Sequence, residues 1–312
     1  MGSICYTPRV MTPIAIVLVT ISAFVHAFWN FLSKRQNSSV AFFFIASGFA
    51  AVCFIPLLIA YRTTFVSIPT QVWVWVGLTS LFEAVYYIGL AGAYRHGDLS
   101  VAYPLLRALP VILVAILTAL FNLGKPLSPL GVAGILLVVL GCLLLPLRNL
   151  RQLRMDPALL TCILLACLAA LGTTGYTLVD NQALFNLRSA PGISLSRVEI
   201  AFFYLGISSL AITLVMGLYF LISSSERNEL TSTWTTNKGM AFLTGVLIVG
   251  TYGLVLAAMQ YAQNVSYIAA FRQLSIPLGA LLGIFVQREP AYLTKVTSIG
   301  IIFGGLALIV LA

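Results

Sequence analysis

Residues 99–121 read LSVAYPLLRALPVILVAILTALF, and Arg107 carries the only charge in this run. A helix rises about 1.5 Å per residue, so about 20 apolar residues cross the hydrocarbon core of a bilayer. The run lacks the regular alternation of apolar and polar residues that marks a strand of a membrane barrel. We therefore predict a transmembrane helix here, with Arg107 about a third of the way along it.

The rest of the chain is built from similar runs. It has 312 residues, of which 60% are hydrophobic and 8% charged, whereas soluble domains carry about 25% charged residues. The predicted spans cover residues 12–33, 39–60, 72–94, 99–121, 128–147, 158–180, 197–221, 239–261, 265–286 and 291–311. The sequence thus predicts an all-α integral membrane protein with ten transmembrane helices.

The charge distribution excludes several classes of function. The net charge is +9, but the basic residues are scattered singly through the loops and form no nucleic-acid surface. Four of the five cysteines lie inside apolar runs without metal-ligand spacing, and no phosphate-binding loop or hydrolase motif stands in a suitable context. We expect no nucleic-acid partner, no metal and no cofactor, and we expect solute gradients rather than ATP as the source of energy.

An internal repeat relates the two halves of the chain. The segment Ala93–Leu113 aligns without gaps on Ala258–Leu278, which pairs Arg107 with Arg272. The same offset pairs Tyr87 with Tyr252, and each half then has a short charged turn ending in proline before its last helix. We predict two five-helix repeats, residues 1–150 and 151–312. Because five is odd, the second repeat enters the membrane in the opposite orientation.

Three motifs resemble those of a known family. They are His26-Ala27-Phe28-Trp29-Asn30 with Lys34, the run from Ala93 to Arg107 (AYRHGDLSVAYPLLR), and Glu289-Pro290. Together they are similar to the drug/metabolite transporter superfamily, and in particular to its EamA-type members. The resemblance implies transport of a metabolite, within a very wide range of substrates. Lys125 departs from it, because the family commonly has an acidic residue in that turn of the first repeat.

The orientation in the membrane receives two conflicting answers. Alternate loops place most of the Lys and Arg residues on the side opposite the termini, which by the positive-inside rule would put both termini outside the cytoplasm. The family resemblance implies cytoplasmic termini. We favour the family, because several cations of the larger set border the proposed pathway and are explained by function. We expect a multi-pass protein of the plasma (inner) membrane.

Glu83 is a carboxylate near the centre of the third predicted helix. An ionised carboxylate at that depth costs roughly 2.5–3.5 kcal/mol, so it should face protein or water. Tyr86 and Tyr87 follow at helical offsets of three and four and lie on the same face. One hypothesis is a site for a coupling proton or a substrate amine, and the alternative is a structural ion pair with Arg107. The aligned residue of the second half is Ile248, so Glu83 breaks the symmetry.

Arg107 and Arg272 occupy equivalent positions in helices 4 and 9. Two guanidinium groups related by a pseudo-twofold axis could clamp a carboxylate or a phosphate. They could also stabilise helix packing by bonding to carbonyl groups that nearby prolines leave free. Both readings are compatible with the sequence.

Polar stripes follow one face of helix 1 and one face of helix 6. They contain Ser22, His26, Trp29, Asn30 and Ser33 in helix 1, and Thr173, Tyr176, Thr177 and Asp180 in helix 6. Such stripes either line a pathway or join helices through hydrogen bonds. We predict a substrate site formed by His26, Trp29, Asn30, Glu83, Tyr86, Tyr87, Arg107, Tyr176, Asp180, Tyr252 and Arg272.

Glycines recur in the last helix of each repeat. They are Gly131, Gly134 and Gly141 in helix 5, and Gly300, Gly304 and Gly305 in helix 10. Small residues allow helix backbones to approach closely. The glycines therefore predict either tight packing within one chain or the seam of a homodimer.

The leading hypothesis is a secondary transporter that works by alternating access on a small polar metabolite, amino-acid-like or otherwise bearing an anion, with Glu83 as the site of either a coupling proton or an amine. A rival is an intramembrane enzyme or lipid-handling protein that uses the same cavity, although no catalytic pair is recognisable. A third reading is a membrane subunit that does not transport, in which case the polar stripes would face a partner.

Overall fold

The computed structural model describes residues 10–33, 39–96, 99–146, 157–286 and 288–312, with side chains described throughout except at 29–33, 99–104 and 224–226. Eleven α-helices make up most of these residues. They are α1 (Pro13–Ser33), α2 (Val40–Ala60), α3 (Thr70–His96), α4 (Leu99–Leu120), α5 (Pro129–Leu144), α6 (Pro157–Ser189), α7 (Arg197–Ile222), α8 (Ser224–Met259), α9 (Val265–Phe271), α10 (Ser275–Phe285) and α11 (Leu293–Leu311).

Seven segments of the described chain are long and apolar enough to cross a bilayer. They are Val40–Ala60, Thr70–His96, Pro157–Ser189, Arg197–Ile222, Arg227–Met259, Val265–Phe285 and Leu293–Leu311. Shorter apolar helices cover Pro13–Phe28, Leu105–Leu120 and Pro129–Leu144. The chain is therefore a multi-pass, all-α membrane protein, as predicted. The count of ten transmembrane helices stays a prediction.

Two helices extend beyond their predicted ends. α6 continues to Ser189, and α8 begins at Ser224, where the sequence favoured a loop up to residue 238. A helix satisfies its own backbone groups, so it can continue outside the hydrocarbon once polar side chains face water. Contacts with other helices also stabilise the added turns of α8, because Glu229 forms an ion pair with Arg95 of α3. The ring of Trp234 stacks on Phe49 of α2 at a centroid distance of 5.9 Å.

The ninth predicted helix corresponds to Val265–Phe285, which we call the ninth segment, and it is interrupted at its centre. α9 ends at Phe271, a 3₁₀ turn spans Arg272–Leu274, and α10 follows. Pro277 explains the interruption, because its ring nitrogen cannot donate to the carbonyl of Gln273 four residues earlier. Side chains bind carbonyl groups around the turn: Oγ of Ser275 donates to the Arg272 carbonyl at 3.1 Å, and Nε2 of Gln273 donates to the Ala269 carbonyl at 3.1 Å.

Glycines bring two pairs of helices into backbone contact. α5 packs along α11, and a Cβ atom on Gly134 would lie 2.7 Å from the carbonyl oxygen of Gly305. α3 packs along α6, where a Cβ atom on Gly172 would lie 2.7 Å from the Tyr86 nitrogen. Gly134 and Gly305 thus pack within one chain. Gly300 and Gly304 have no described atom within 4 Å of a built Cβ, and the homodimer stays a prediction.

The helical bundle is closed at the end that carries the first described residues. The amide of Gln263 donates to the Val10 carbonyl at 3.0 Å, and the amide of Thr12 donates to the Tyr261 carbonyl at 3.2 Å. The Lys125 amide also donates to the Gln263 carbonyl, at 3.1 Å. These main-chain bonds join the start of α1, the turn before α5 and the turn before α9. We call this layer the closed end.

Substituting alanine at Gly305 is expected to destabilise the protein by about 1–3 kcal/mol, the usual cost of overpacking. The new Cβ atom would lie 2.7 Å from the Gly134 carbonyl oxygen and 2.8 Å from the Val138 nitrogen, and neither backbone atom can give way easily. Thermal unfolding of the purified protein in detergent measures this loss.

Gly300→Ala is the matched control, because it lies in the same helix and gains the same helix propensity but meets open space. Equal unfolding temperatures for the two variants would show that the contact between α5 and α11 is not tight.

Candidate functional site

A cavity of about 1250 Å³, lined by both polar and apolar side chains, occupies the centre of the bundle. Its walls come from every helix except α5, including α11 through Lys295, and from the segments around Pro146 and Tyr292. The mouth lies at the end opposite the closed end, where Ser39, Arg95 and Glu229 line it. Of the predicted site residues, the walls include His26, Glu83, Tyr86, Tyr87, Arg107, Tyr176, Tyr252 and Arg272.

A continuous row of aromatic rings crosses the cavity wall from α2 to α8. Phe43 stacks on Tyr87 at a centroid distance of 4.8 Å, and Tyr87 meets Tyr86 at 5.1 Å. Tyr86 then meets Tyr176 edge-on at 5.9 Å, and Tyr176 meets Tyr252 edge-on at 5.6 Å. The close approach of α3 to α6 at Gly172 brings these tyrosines together. The row forms one aromatic side of the cavity.

Arg107 and Arg272 both line the cavity. Nη2 of Arg107 lies 2.7 Å from Nε2 of His26 and donates to Oγ of Ser275 at 3.3 Å. The Arg272 guanidinium lies over the ring of Tyr252, 5.4 Å from its centroid. Two guanidinium groups therefore face one polar space.

Glu83 presents a carboxylate to the same cavity. Among the residues that the structure describes, it forms no hydrogen bond or ion pair. The structural ion pair between Glu83 and Arg107, which the sequence left open, is therefore not formed. Ile248, its aligned residue in the second half, also lines the cavity. The cavity therefore has a carboxylate at Glu83 and an apolar side chain at the aligned position, Ile248.

Asp180 lies behind the wall instead of on it. Its side chain is buried, and its carboxylate accepts hydrogen bonds from Thr79 at 2.6 Å and from Tyr204 at 2.7 Å. The hydroxyl of Tyr252 also donates to it. Asp180 stays a predicted substrate-binding residue, and in the structure its carboxylate holds the hydroxyl of Tyr252, which lines the cavity.

Two predicted residues cannot be placed, because the side chains of Trp29 and Asn30 lie outside the described part of the structure. Conversely, Phe43, Gln273 and Ser275 line the cavity without having been predicted. Gln273 could have been found, because an amide beside Arg272 in an apolar segment is costly in hydrocarbon. Phe43 carries no such signal.

Cations at the mouth are paired. Arg95 forms an ion pair with Glu229, and Nζ of Lys295 lies 2.8 Å from Oε2 of Glu289. All four residues line the cavity. Within the described ranges, no group of three or more His, Cys, Asp and Glu residues could hold a metal ion.

The fold and this cavity define a multi-pass helical membrane protein with a polar chamber closed at one end. Residues 13–147 match the family model described as the EamA-like transporter family. That part of the chain, which spans α1 to α5, is therefore similar to the EamA-like transporter family of the drug/metabolite transporter superfamily.

Other comparisons bear on the fold alone. A solved crystal structure of a protein is similar to this chain with a TM-score of 0.71 at 17% sequence identity. The alignment covers 95% of this chain and 96% of that chain. No curated protein matches the sequence.

Removing the carboxylate of Asp180 is expected to destabilise the protein. Asp180→Ala leaves the buried hydroxyls of Thr79 and Tyr204 without their acceptor, and each unpaired buried group costs about 1–3 kcal/mol. Asp180→Asn keeps an acceptor oxygen and should lose less. Thermal unfolding in detergent measures both variants, and an alanine variant as stable as the wild type would contradict the network.

Proposed function

We propose that this protein is a secondary transporter that moves a small polar metabolite bearing an anionic group across the plasma membrane by alternating access. The observation that supports this most directly is a central cavity that is open at one end and closed by main-chain hydrogen bonds at the other. The similarity of residues 13–147 to a transporter family points the same way.

The proposal includes ten transmembrane helices in two inverted repeats, residues 1–150 and 151–312. The helix contacts support it, because they keep their pattern when each helix is exchanged for its counterpart in the other half. α1 packs on α8 as α6 packs on α3, and α1 packs on the ninth segment as α6 packs on α4. α2 with α7, and α5 with α11, are pairs that this exchange maps onto themselves.

The turns before the last helix of each half support the same repeat. Gly124 precedes Lys125-Pro126 with a φ of 100°, and Arg288 precedes Glu289-Pro290 with a φ of 57°. Both turns therefore use the left-handed region at the equivalent position. A non-glycine residue rarely adopts it.

The substrate proposal follows from the charges on the walls. Arg107 and Arg272 would hold the anionic group, since guanidinium binds carboxylate and phosphate in a bidentate manner. Glu83 would bind an amine of the substrate or a coupling proton. An amino-acid-like solute carries both groups and could bridge them.

We place the termini in the cytoplasm, as the family resemblance implies, so that the cavity opens to the outside. The Lys and Arg residues on the side opposite the termini outnumber the others, and by the positive-inside rule they would favour termini outside the cytoplasm. Two members of that set, Arg95 and Lys295, line the cavity mouth in ion pairs. Their positions are thus accounted for without the positive-inside rule.

Uptake of radiolabelled solute into proteoliposomes tests the proposal. A thermal-shift screen of the purified protein against metabolites first selects the solute, because a bound ligand stabilises the folded state. We expect accumulation that depends on the solute or pH gradient. Product formation in detergent without accumulation in vesicles would instead support the enzyme hypothesis.

Glu83→Gln is expected to reduce uptake about tenfold or more, because a hydrogen bond to a charged group contributes about 1.5–3 kcal/mol. If Glu83 carries the coupling proton, the pH dependence of uptake is lost as well. Glu229→Gln is the control, because that carboxylate lines the mouth of the same cavity. A Glu83 variant with unchanged uptake and unchanged pH dependence would remove the residue from the mechanism.

A further inference from the structure

The contact between Arg107 and His26 fixes the chemical state of the imidazole. Nη2 of Arg107 lies 2.7 Å from Nε2 of His26, and a guanidinium has only donors and stays protonated. Nε2 must therefore accept. An imidazole that accepts at Nε2 is neutral and carries its single proton on Nδ1.

The surroundings of His26 are positively charged. The charged groups that act on it are Arg107 from α4 and Arg272 from the 3₁₀ turn. α8 also contacts this part of α1, because the hydroxyl of Ser22, one turn before His26, donates to the Thr251 carbonyl. The next residue of α8 is Tyr252, whose phenol lines the cavity. α10 has no ionisable side chain, since its sequence is SIPLGALLGIF.

An anion bound between the two arginines would change both the hydrogen bond from Arg107 to His26 and the positive charge around His26. It would compete for the Arg107 donors that now serve His26, and it would offset the positive charge that disfavours an imidazolium ion. The Nη2–H···Nε2 hydrogen bond would break. A proton from water in the cavity would then form an Nε2–H bond, and the imidazolium could donate to the anion.

We infer that His26 takes up a proton together with the anion that Arg107 binds, so that anion and proton share one coupled site. This inference rests on the proposed anion site and assigns its coupling proton to His26 instead of Glu83. Linkage makes the effect reciprocal, because a proton on His26 must strengthen anion binding by the factor by which the anion strengthens proton binding. A monovalent anion would then move with one proton and without net charge.

Histidine NMR on the purified full-length protein tests the coupling directly. The chain has two histidines, and His96 lies exposed at the end of α3, where its Nδ1 contacts the Gly92 carbonyl at 2.9 Å. Benzoate is the anionic probe and benzamide is its neutral counterpart of similar shape. With ¹⁵N-labelled histidine at pH 7, we expect benzoate to convert His26 from a neutral tautomer to imidazolium. Benzamide should leave it neutral, and His96 should respond to neither compound.

Proton uptake gives an independent readout with variants. A pH-stat should record about one proton per bound benzoate for the wild type and for His96→Gln, as expected when one group changes its protonation on binding. His26→Gln offers an acceptor to Arg107 but cannot take the proton, so its uptake per bound benzoate should fall close to zero. Glu83→Gln should still take up about one proton.

Several outcomes would overturn the inference. A neutral His26 in the benzoate complex would do so, and so would proton uptake that disappears in Glu83→Gln but persists in His26→Gln. Failure of both benzoate and inorganic phosphate to bind would show that the two arginines do not form an anion site. Uptake into vesicles is measured separately, so transport without proton uptake at His26 would leave the proposed function intact.

Discussion

Hydrocarbon offers no hydrogen bonds, and this constraint shapes the whole bundle. A polar group that faces lipid costs several kcal/mol, so polar side chains on membrane helices turn toward protein or trapped water. The stripe that begins at Ser22 and His26 and the stripe that contains Tyr176 and Asp180 obey this rule from two different helices. Helices that all turn a polar face inward cannot pack into a dry core. The central chamber is therefore a consequence of the amino-acid pattern.

Glycine decides where the walls of this chamber stand. At Gly172 the backbones of α3 and α6 approach so closely that no Cβ atom fits, and Tyr86 and Tyr176 are thereby brought to edge-on contact. Away from such contacts, larger side chains keep the helices apart and leave space. The distribution of small residues thus decides where two helices pack tightly along the chamber wall.

The all-α membrane fold could be predicted, because the apolar runs are long and carry few charges. Glu83 was found for the same reason, since a lone carboxylate in an apolar run must face inward. The depth of Asp180 could not be predicted. Hydrophobic periodicity gives the face of a helix but not the neighbour on that face, and here Thr79, Tyr204 and Tyr252 donate hydrogen bonds to the carboxylate.

The ends of helices were the least predictable feature. The long polar start of α8 reads as a loop, yet it is helical because Arg95 and Phe49, both distant in sequence, hold Glu229 and Trp234. The interruption at Arg272–Leu274 was similarly hidden. Pro277 signals a disturbance, but only the serine and glutamine side chains beside it show how the carbonyl groups are satisfied.

The bridge between Met11 and Ala262 has a practical consequence for handling the protein. The residues just before α1 are part of the closed end, and Met11 is 1% exposed. An affinity tag or a fluorescent fusion is best attached upstream of Val10 by a spacer. A shortened chain that starts at Pro13 would lack one side of the closed end. Differences in behaviour between such preparations would then reflect where the chain was cut, and not the chemistry of the chamber.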